Sequence, residues 1–247
     1  MKKRTLTRRT FARLTAAAAA TAIAACFAAG TVAHAQTDDP LRIGLIGAGR
    51  MGGALGLRLA EAGHEVFFSS RTPSELAPLV EQAGGRARAG TPREAAEFGD
   101  VVIIAVPYGA MPQIGRDYGP LLQGKIVIDL GNPREDRDGP MAREALEKGT
   151  GVASAEYLPG VRLVRAFNAI SFVMIRDQSH REGERIGVPI AGDDPEAVAV
   201  TERLVRDAGF DPVVVGPLET AKRFDAGTNV YVRGMTAREL KEALVLD

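Results

Sequence analysis

The sequence predicts an α/β fold, a doubly wound parallel sheet, and three observations carry that prediction. From Leu41 to Leu130, short β-rich runs alternate with helical runs. Asp100-Val-Val-Ile-Ile-Ala-Val106 is a continuous apolar run, as a strand covered on both faces should be, and Lys125-Ile-Val-Ile-Asp-Leu130 is the next. The first β run breaks into Gly47-Ala-Gly49-Arg-Met-Gly52 and opens at once into a helix, the strand–glycine turn–helix order that begins a Rossmann-type sheet.

Each element follows from local pattern. Strand one is Leu41–Ile46, and the helix after the glycines runs to about Ala62 with Met51, Leu55, Leu59 and Ala62 along it. Strand two is Glu65–Ser69. Pro73 precedes a helix spanning Ser74–Ala83, and a short strand sits near Arg86–Ala89. Thr91-Pro92-Arg-Glu94 forms a helix cap with proline at the first helical position. Pro133-Arg-Glu-Asp-Arg-Asp-Gly-Pro140 breaks the rhythm and marks a boundary between residues 36–134 and a small C-terminal α/β lobe, 135–247. That charged stretch reads as a solvated loop, with a lid over the site as the alternative. The second half offers strands at Val161–Phe167, Ile186–Ala191 and Pro212–Val215. Between the last two, Asp194 caps a helix with Pro195 at its start, Ala197, Val200, Thr201, Leu204 and Ala208 along one face, and Gly209 at its end. A final helix spans Thr236–Leu244, and no internal repeat is visible.

The glycine turn points to a dinucleotide. Gly47 permits the tight turn, Gly49 lets backbone approach a pyrophosphate, and Gly52 lets the helix pack close to the strand. Arg50 and Met51 sit between them, where free N–H groups of the helix start attract phosphate. The spacing alone also fits a turn in another α/β fold; the flanking strands and helix favour the dinucleotide. The end of strand two selects its kind. An NAD site carries Asp or Glu there, whereas this chain has Ser69-Ser70-Arg71-Thr72. Ser70 can donate to a 2′-phosphate and Arg71 can pair with it, so the expected cofactor is NADP(H). The competing reading leaves Arg71 as a solvated arginine over a permissive ribose pocket.

The N-terminus reads as a targeting segment. Arg8-Arg9 inside Thr7–Arg13, an alanine-rich stretch from Leu14, and Ala33-His34-Ala35 make a cleavable twin-arginine signal peptide over residues 1–35. A periplasmic or secreted protein follows, without an integral span after cleavage. The alternatives are an uncleaved anchor and lipidation of Cys26. The segment holds six of the 31 basic residues and no acid, so the remainder carries 31 − 6 = 25 basic against 31 acidic side chains. That balance gives no support to nucleic-acid binding. Cys26 is the only cysteine, so the mature chain has no thiolate nucleophile, and with only His64 and His180 remaining no metal site is expected. His64 lies in a helix-to-strand turn and reads as structural.

Gly47-Ala-Gly-Arg-Met-Gly52, Ser70-Arg71, Ala105-Val-Pro107, Asp129-Leu-Gly-Asn-Pro133, Arg165-Ala-Phe-Asn168, Ile190-Ala-Gly-Asp-Asp194 and Gly209-Phe-Asp-Pro-Val213 together resemble the deazaflavin (coenzyme F-420)-dependent NADP oxidoreductase family. The resemblance implies direct hydride transfer between NADPH and a flavin-like or other small redox acceptor, with a deazaflavin or flavin as co-substrate, and it suggests a homodimer. Val106, Pro107 and Tyr108 then bound the ribose and nicotinamide, and Asn132 and Asn168 bond the carboxamide or the acceptor ring; for each asparagine the competing reading is a turn at a strand end. Gly47–Arg71 also resembles β-hydroxyacid dehydrogenases and pyrroline-5-carboxylate reductase, which add a long helical domain absent from this pattern. A non-enzymatic NADPH sensor or accessory subunit is the remaining reading. The export signal departs from a family whose cofactors are cytoplasmic.

Overall fold

The computed structural model describes residues 39–246, and the expected signal peptide over residues 1–35, with Cys26, lies outside them. Strands β1 (Arg42–Ile46), β2 (Glu65–Ser69), β3 (Ala87–Gly90), β4 (Val101–Ile104), β5 (Ile126–Asp129), β6 (Arg162–Arg165), β7 (Gly187–Gly192) and β8 (Asp211–Gly216) form one sheet in the order β3-β2-β1-β4-β5-β6-β7-β8. The chain winds outward from β1 to β3, then returns to β4 on the other side of β1. That reversal opens a crevice at the carboxyl ends of β1 and β4, where open α/β sheets bind ligands.

Helices cover both faces, which is why β4 and β5 are buried along their length and, apart from the terminal Asp129, apolar. On one face α1 (Arg50–Glu61) buries Leu55 and Leu59 against Ile43, Leu45 and Phe68. Then comes α2 (Ala77–Ala83), while α3 (Pro92–Phe98) crosses to the other face, where its Ala96 joins the cluster around Val102 and Ile104. Thr91 caps α3 in a reciprocal box: its hydroxyl accepts from the Glu94 N–H while Glu94 accepts from the Thr91 N–H. On the opposite face α4 (Met111–Leu122) buries Met111, Ile114 and Leu122 against Val102, Ile104 and Val127.

The second half departs from the pattern in three places. First, the charged stretch after Pro133 is a helical turn, α5 (Glu135–Asp138), followed by α6 (Pro140–Lys148) and α7 (Thr150–Tyr157). Gly139 at φ 70° and Gly149 at φ 90° let the chain turn between them. Second, β5 and β6 pair directly in parallel, so strands from both sides of residue 134 share one sheet, and Pro40–Asp247 is one compact unit. Third, β7 runs antiparallel to β6, pairing only through Val164 with Gly192 and Arg165 with Ala191. The helix between them, α8 (Phe172–Gln178), has seven residues and packs on α1 instead of returning along the sheet. The chain therefore enters β7 from the carboxyl edge.

After β7 the expected helix forms as α9 (Pro195–Asp207), with Asp194 accepting from the Ala197 N–H at 2.8 Å. Arg162 pairs with Asp194 at 2.6 Å and holds that carboxyl down at about 2. The last helix, α10 (Ala237–Ala243), packs on β7 and β8. His64 is a structural staple: its Nδ1 accepts from the Leu41 N–H at 3.1 Å and its Nε2 donates to Asp207 at 3.0 Å. It joins the start of β1 to the end of α9.

Candidate active site

The site begins where β1 stops. Gly47 has φ 99°, and an added Cβ would lie 2.6 Å from Val106 and 2.7 Å from the Ala105 carbonyl. An added Cβ at Gly52 would lie 2.0 Å from the Gly47 carbonyl. Both positions therefore require glycine, the first for the turn and the second for helix-to-turn contact. Gly49 faces open space, with nothing within 4 Å of a Cβ placed there, and it leads α1 without a side-chain cap. The first N–H groups of α1 are thus available to an anion.

Two cavities flank this turn and share Gly49, Ala105, Val106 and Pro107. The first, of 690 Å³, runs beside Ser70 and Arg71 toward Ile114 and Tyr118. Ser69 is buried and donates to the Leu45 carbonyl at 2.6 Å, which leaves Ser70 and Arg71 at the opening. The Ser70 hydroxyl accepts from the Thr72 N–H at 3.0 Å, so its own proton is free to donate outward. Arg71 is exposed and forms no ion pair among the described residues.

The second cavity, of 480 Å³, is lined by Arg50, Met51, Asn132 and Asn168 together with Phe172 and Tyr231. Asn132 donates to the Asn168 carbonyl at 2.9 Å, and Asn168 donates to the Phe224 carbonyl at 3.4 Å. Asn168 is buried, and its Oδ1 has no partner among the described residues. An oxygen in that state costs about 1–3 kcal/mol unless a ligand supplies a donor. Phe167, just before it, is held at φ 58°. Such strain in a bulky residue persists only where surrounding packing enforces it. Here it turns the chain at the end of β6 and brings Asn168 to the cavity.

The structure thus brings Gly47, Gly49, Arg50, Met51, Ser70, Arg71, Val106, Pro107, Asn132 and Asn168 to the two cavity walls, with Gly52 packed beneath. Tyr108 departs from the sequence expectation. It is fully buried, and its hydroxyl lies 3.2 Å from Ser154 Oγ and donates to it, because the single Ser154 proton goes to Asp129. Burial pushes the phenol above its ordinary pKa. The 3-10 turn at Tyr108–Ala110 carries the ring inward under Gly131 instead of along the cavity.

Beneath the asparagines lies a charged network that sequence reasoning missed. Arg165 is fully buried; its Nη1 donates to Asp129 Oδ2 at 2.7 Å and its Nη2 to Asp225 at 3.4 Å. Asp129 also accepts from Ser154 at 2.7 Å and from the Gly131 N–H at 2.7 Å, which shapes the turn toward Asn132. Arginine inside the strand Arg162–Arg165 was the available signal, since a cation there must be paired. At the rim, Arg137 donates to the Asn132 carbonyl at 2.8 Å and Arg50 stacks 4.9 Å over the Phe172 ring. No group of three or more His, Cys, Asp or Glu among the described residues could hold a metal ion.

Residues 42–133 match the family model described as NADP oxidoreductase, coenzyme F420-dependent. The chain is 31% identical over 199 residues to the F420-dependent NADP reductase of Methanothermobacter marburgensis, covering 75% of this chain and 88% of that protein. It is 30% identical over 204 residues to Metalloreductase STEAP3 of Rattus norvegicus, but spans only 38% of that protein's length. A hypothetical protein of Sinorhizobium meliloti has the same fold, with a TM-score of 0.69, 24% identity and coverage of 79% of this chain and 95% of that one.

Proposed function

The chain belongs to the coenzyme F420-dependent NADP oxidoreductases, and from that premise we propose that it moves a hydride between NADP(H) and a flavin-like acceptor seated over Asn132 and Asn168. The observation that carries this is the buried, unpartnered Asn168 oxygen at the head of a groove that starts at the glycine turn. NADPH supplies the hydride when bound. The residues present fit it: the Gly49 turn and the open start of α1 for the pyrophosphate, Ser70 and Arg71 for the 2′-phosphate, and the Asn168 oxygen for an amide N–H. Val106, Ile170 and Phe172 exclude water from the reacting face, and the asparagine pair orients both rings. The protein needs no acid–base side chain of its own for such a transfer.

The twin-arginine pattern in residues 1–35 supports action beyond the cytoplasmic membrane. NADP(H) then enters with the folded protein and stays bound as a shuttle between two substrates. The test is NADPH oxidation followed at 340 nm against flavins, a deazaflavin, quinones and ferric chelates. Turnover of a flavin or deazaflavin that falls at least about tenfold in Asn168→Ala supports the reading. NADPH binding with no turnover of any acceptor refutes it and favours a sensor or accessory role. The likeness to the metalloreductase favours a second reading, in which reduced flavin passes its electrons singly to a ferric chelate.

A further inference from the structure

We propose that Asp225 and Arg165 are positioning residues: they fix the Phe224 carbonyl that orients the Asn168 amide, and so present the cavity with an acceptor oxygen in place of an amide N–H. This rests on the reading that the Asn168 oxygen receives the nicotinamide carboxamide, and it identifies what gives that site its hydrogen-bond polarity.

The Asn168 amide can lie in two ways. Its Nδ2 faces the Phe224 carbonyl at 3.4 Å and Asn132 Oδ1 at 3.5 Å. Both are acceptors, and Asn132 spends its own Nδ2 on the Asn168 carbonyl at 2.9 Å. A reversed amide would set oxygen against oxygen twice. Oδ1 is therefore the atom left over, buried and without a partner among the described residues. Both Nδ2 bonds are long, so a small displacement of the Phe224 carbonyl releases the amide.

Phe224 is placed from a distance. It ends the 3-10 turn Leu218–Arg223 and is fully buried. The next residue, Asp225, is 4% exposed and held at both carboxylate oxygens. Oδ2 accepts from the Thr150 N–H at 2.9 Å, at the start of α7, where Gly149 offers no side-chain cap. Oδ1 accepts from Arg165 Nη2 at 3.4 Å. The same guanidinium gives Nη1 to Asp129, whose other oxygen takes the Gly131 N–H beside Asn132. One buried cation thus ties the turn carrying Asn132 to the segment whose carbonyl orients Asn168. Arg165 lines neither cavity and acts only through the two asparagines. A planar fork can span two carboxylates in this way, whereas an ammonium is a single point.

The test uses protein freed of nucleotide and measures, by calorimetry, the binding of NADP+ and of its acetylpyridine analogue, in which a methyl ketone replaces the carboxamide and leaves no N–H. The wild type prefers NADP+ at least about tenfold, as expected for one hydrogen bond to a buried oxygen. Asn168→Ala removes the preference. Asp225→Asn, which turns a donor toward Thr150 or Arg165, lowers it at least about threefold while affinity for the analogue holds. Arg165→Lys, which keeps its charge beside Asp129 but cannot span to Asp225, does the same and decides the matter if Asp225→Asn fails to fold. In an Asn168→Ala background Asp225→Asn changes neither affinity further. Leu204→Ala, in the core beneath α9, lowers Tm and leaves the preference intact. A preference that survives Asp225→Asn and Arg165→Lys, or one lost equally in Leu204→Ala, overturns the positioning role alone. Equal binding of the two dinucleotides by the wild type overturns the role of Asn168 beneath it as well.

Discussion

Asp129→Asn is the sharpest perturbation of the framework. Asp129 is fully buried and accepts three hydrogen bonds of 2.7 Å, from Arg165, Ser154 and the Gly131 N–H. An amide keeps one acceptor oxygen and turns a donor toward one of those three donors. It also removes the nearest counter-charge of Arg165, whose remaining partner Asp225 lies at 3.4 Å and whose Nε is already unpaired. Breaking one side of a buried ion pair costs about 3–5 kcal/mol. For a domain of this size each kcal/mol moves Tm by about 2–4 °C, so the variant should melt about 6–20 °C lower. The assay is thermal and urea unfolding monitored by circular dichroism, with Ser154→Ala as a neutral comparison costing about 1 kcal/mol. A Tm within about 2 °C of wild type, with an unchanged urea slope, would show that the guanidinium finds other compensation. That result would refute the assignment of Asp129 as its principal partner.

Three further outcomes are expected. Arg71→Ala should weaken NADPH at least about tenfold by calorimetry while leaving NADH unchanged, since the proposed role of Arg71 at the cavity opening is to pair with the 2′-phosphate; equal losses for both would sink the selection argument. Burial holds the His64 imidazole below its ordinary value of 6.5, against Asp207, which raises it. The unfolded chain therefore protonates first as pH falls, and stability declines below about pH 6.5 by at most about 1.4 kcal/mol per unit until the folded imidazole also titrates. His64→Gln should flatten that slope in urea unfolding at pH 7.5 and 5.5; parallel slopes would assign the decline to other groups. Protein exported through its own signal should release near-stoichiometric NADP(H) on denaturation, identified by mass, and an empty protein would end the retained-shuttle idea.

The sequence by itself determined what is local. Glycine at positions 47 and 52, the apolar runs of β1, β4 and β5, the Thr91 and Asp194 caps and the absence of an acid after β2 all act within a few residues, and all were legible. Even Asn132 and Asn168 were visible as strand-end residues, because a parallel sheet gathers its carboxyl ends at one edge. Only the tertiary structure decided the rest. Asp129 meets Arg165 across 36 positions and Arg165 meets Asp225 across 60, separations at which no periodicity carries information. The inward turn of Tyr108, the reversal of β7 and the folding of the charged stretch into a helical turn facing the cavity likewise depend on what packs against them. Propensity acts through neighbours along the chain, whereas burial and charge pairing act through neighbours in space, and only the folded sheet brings those together.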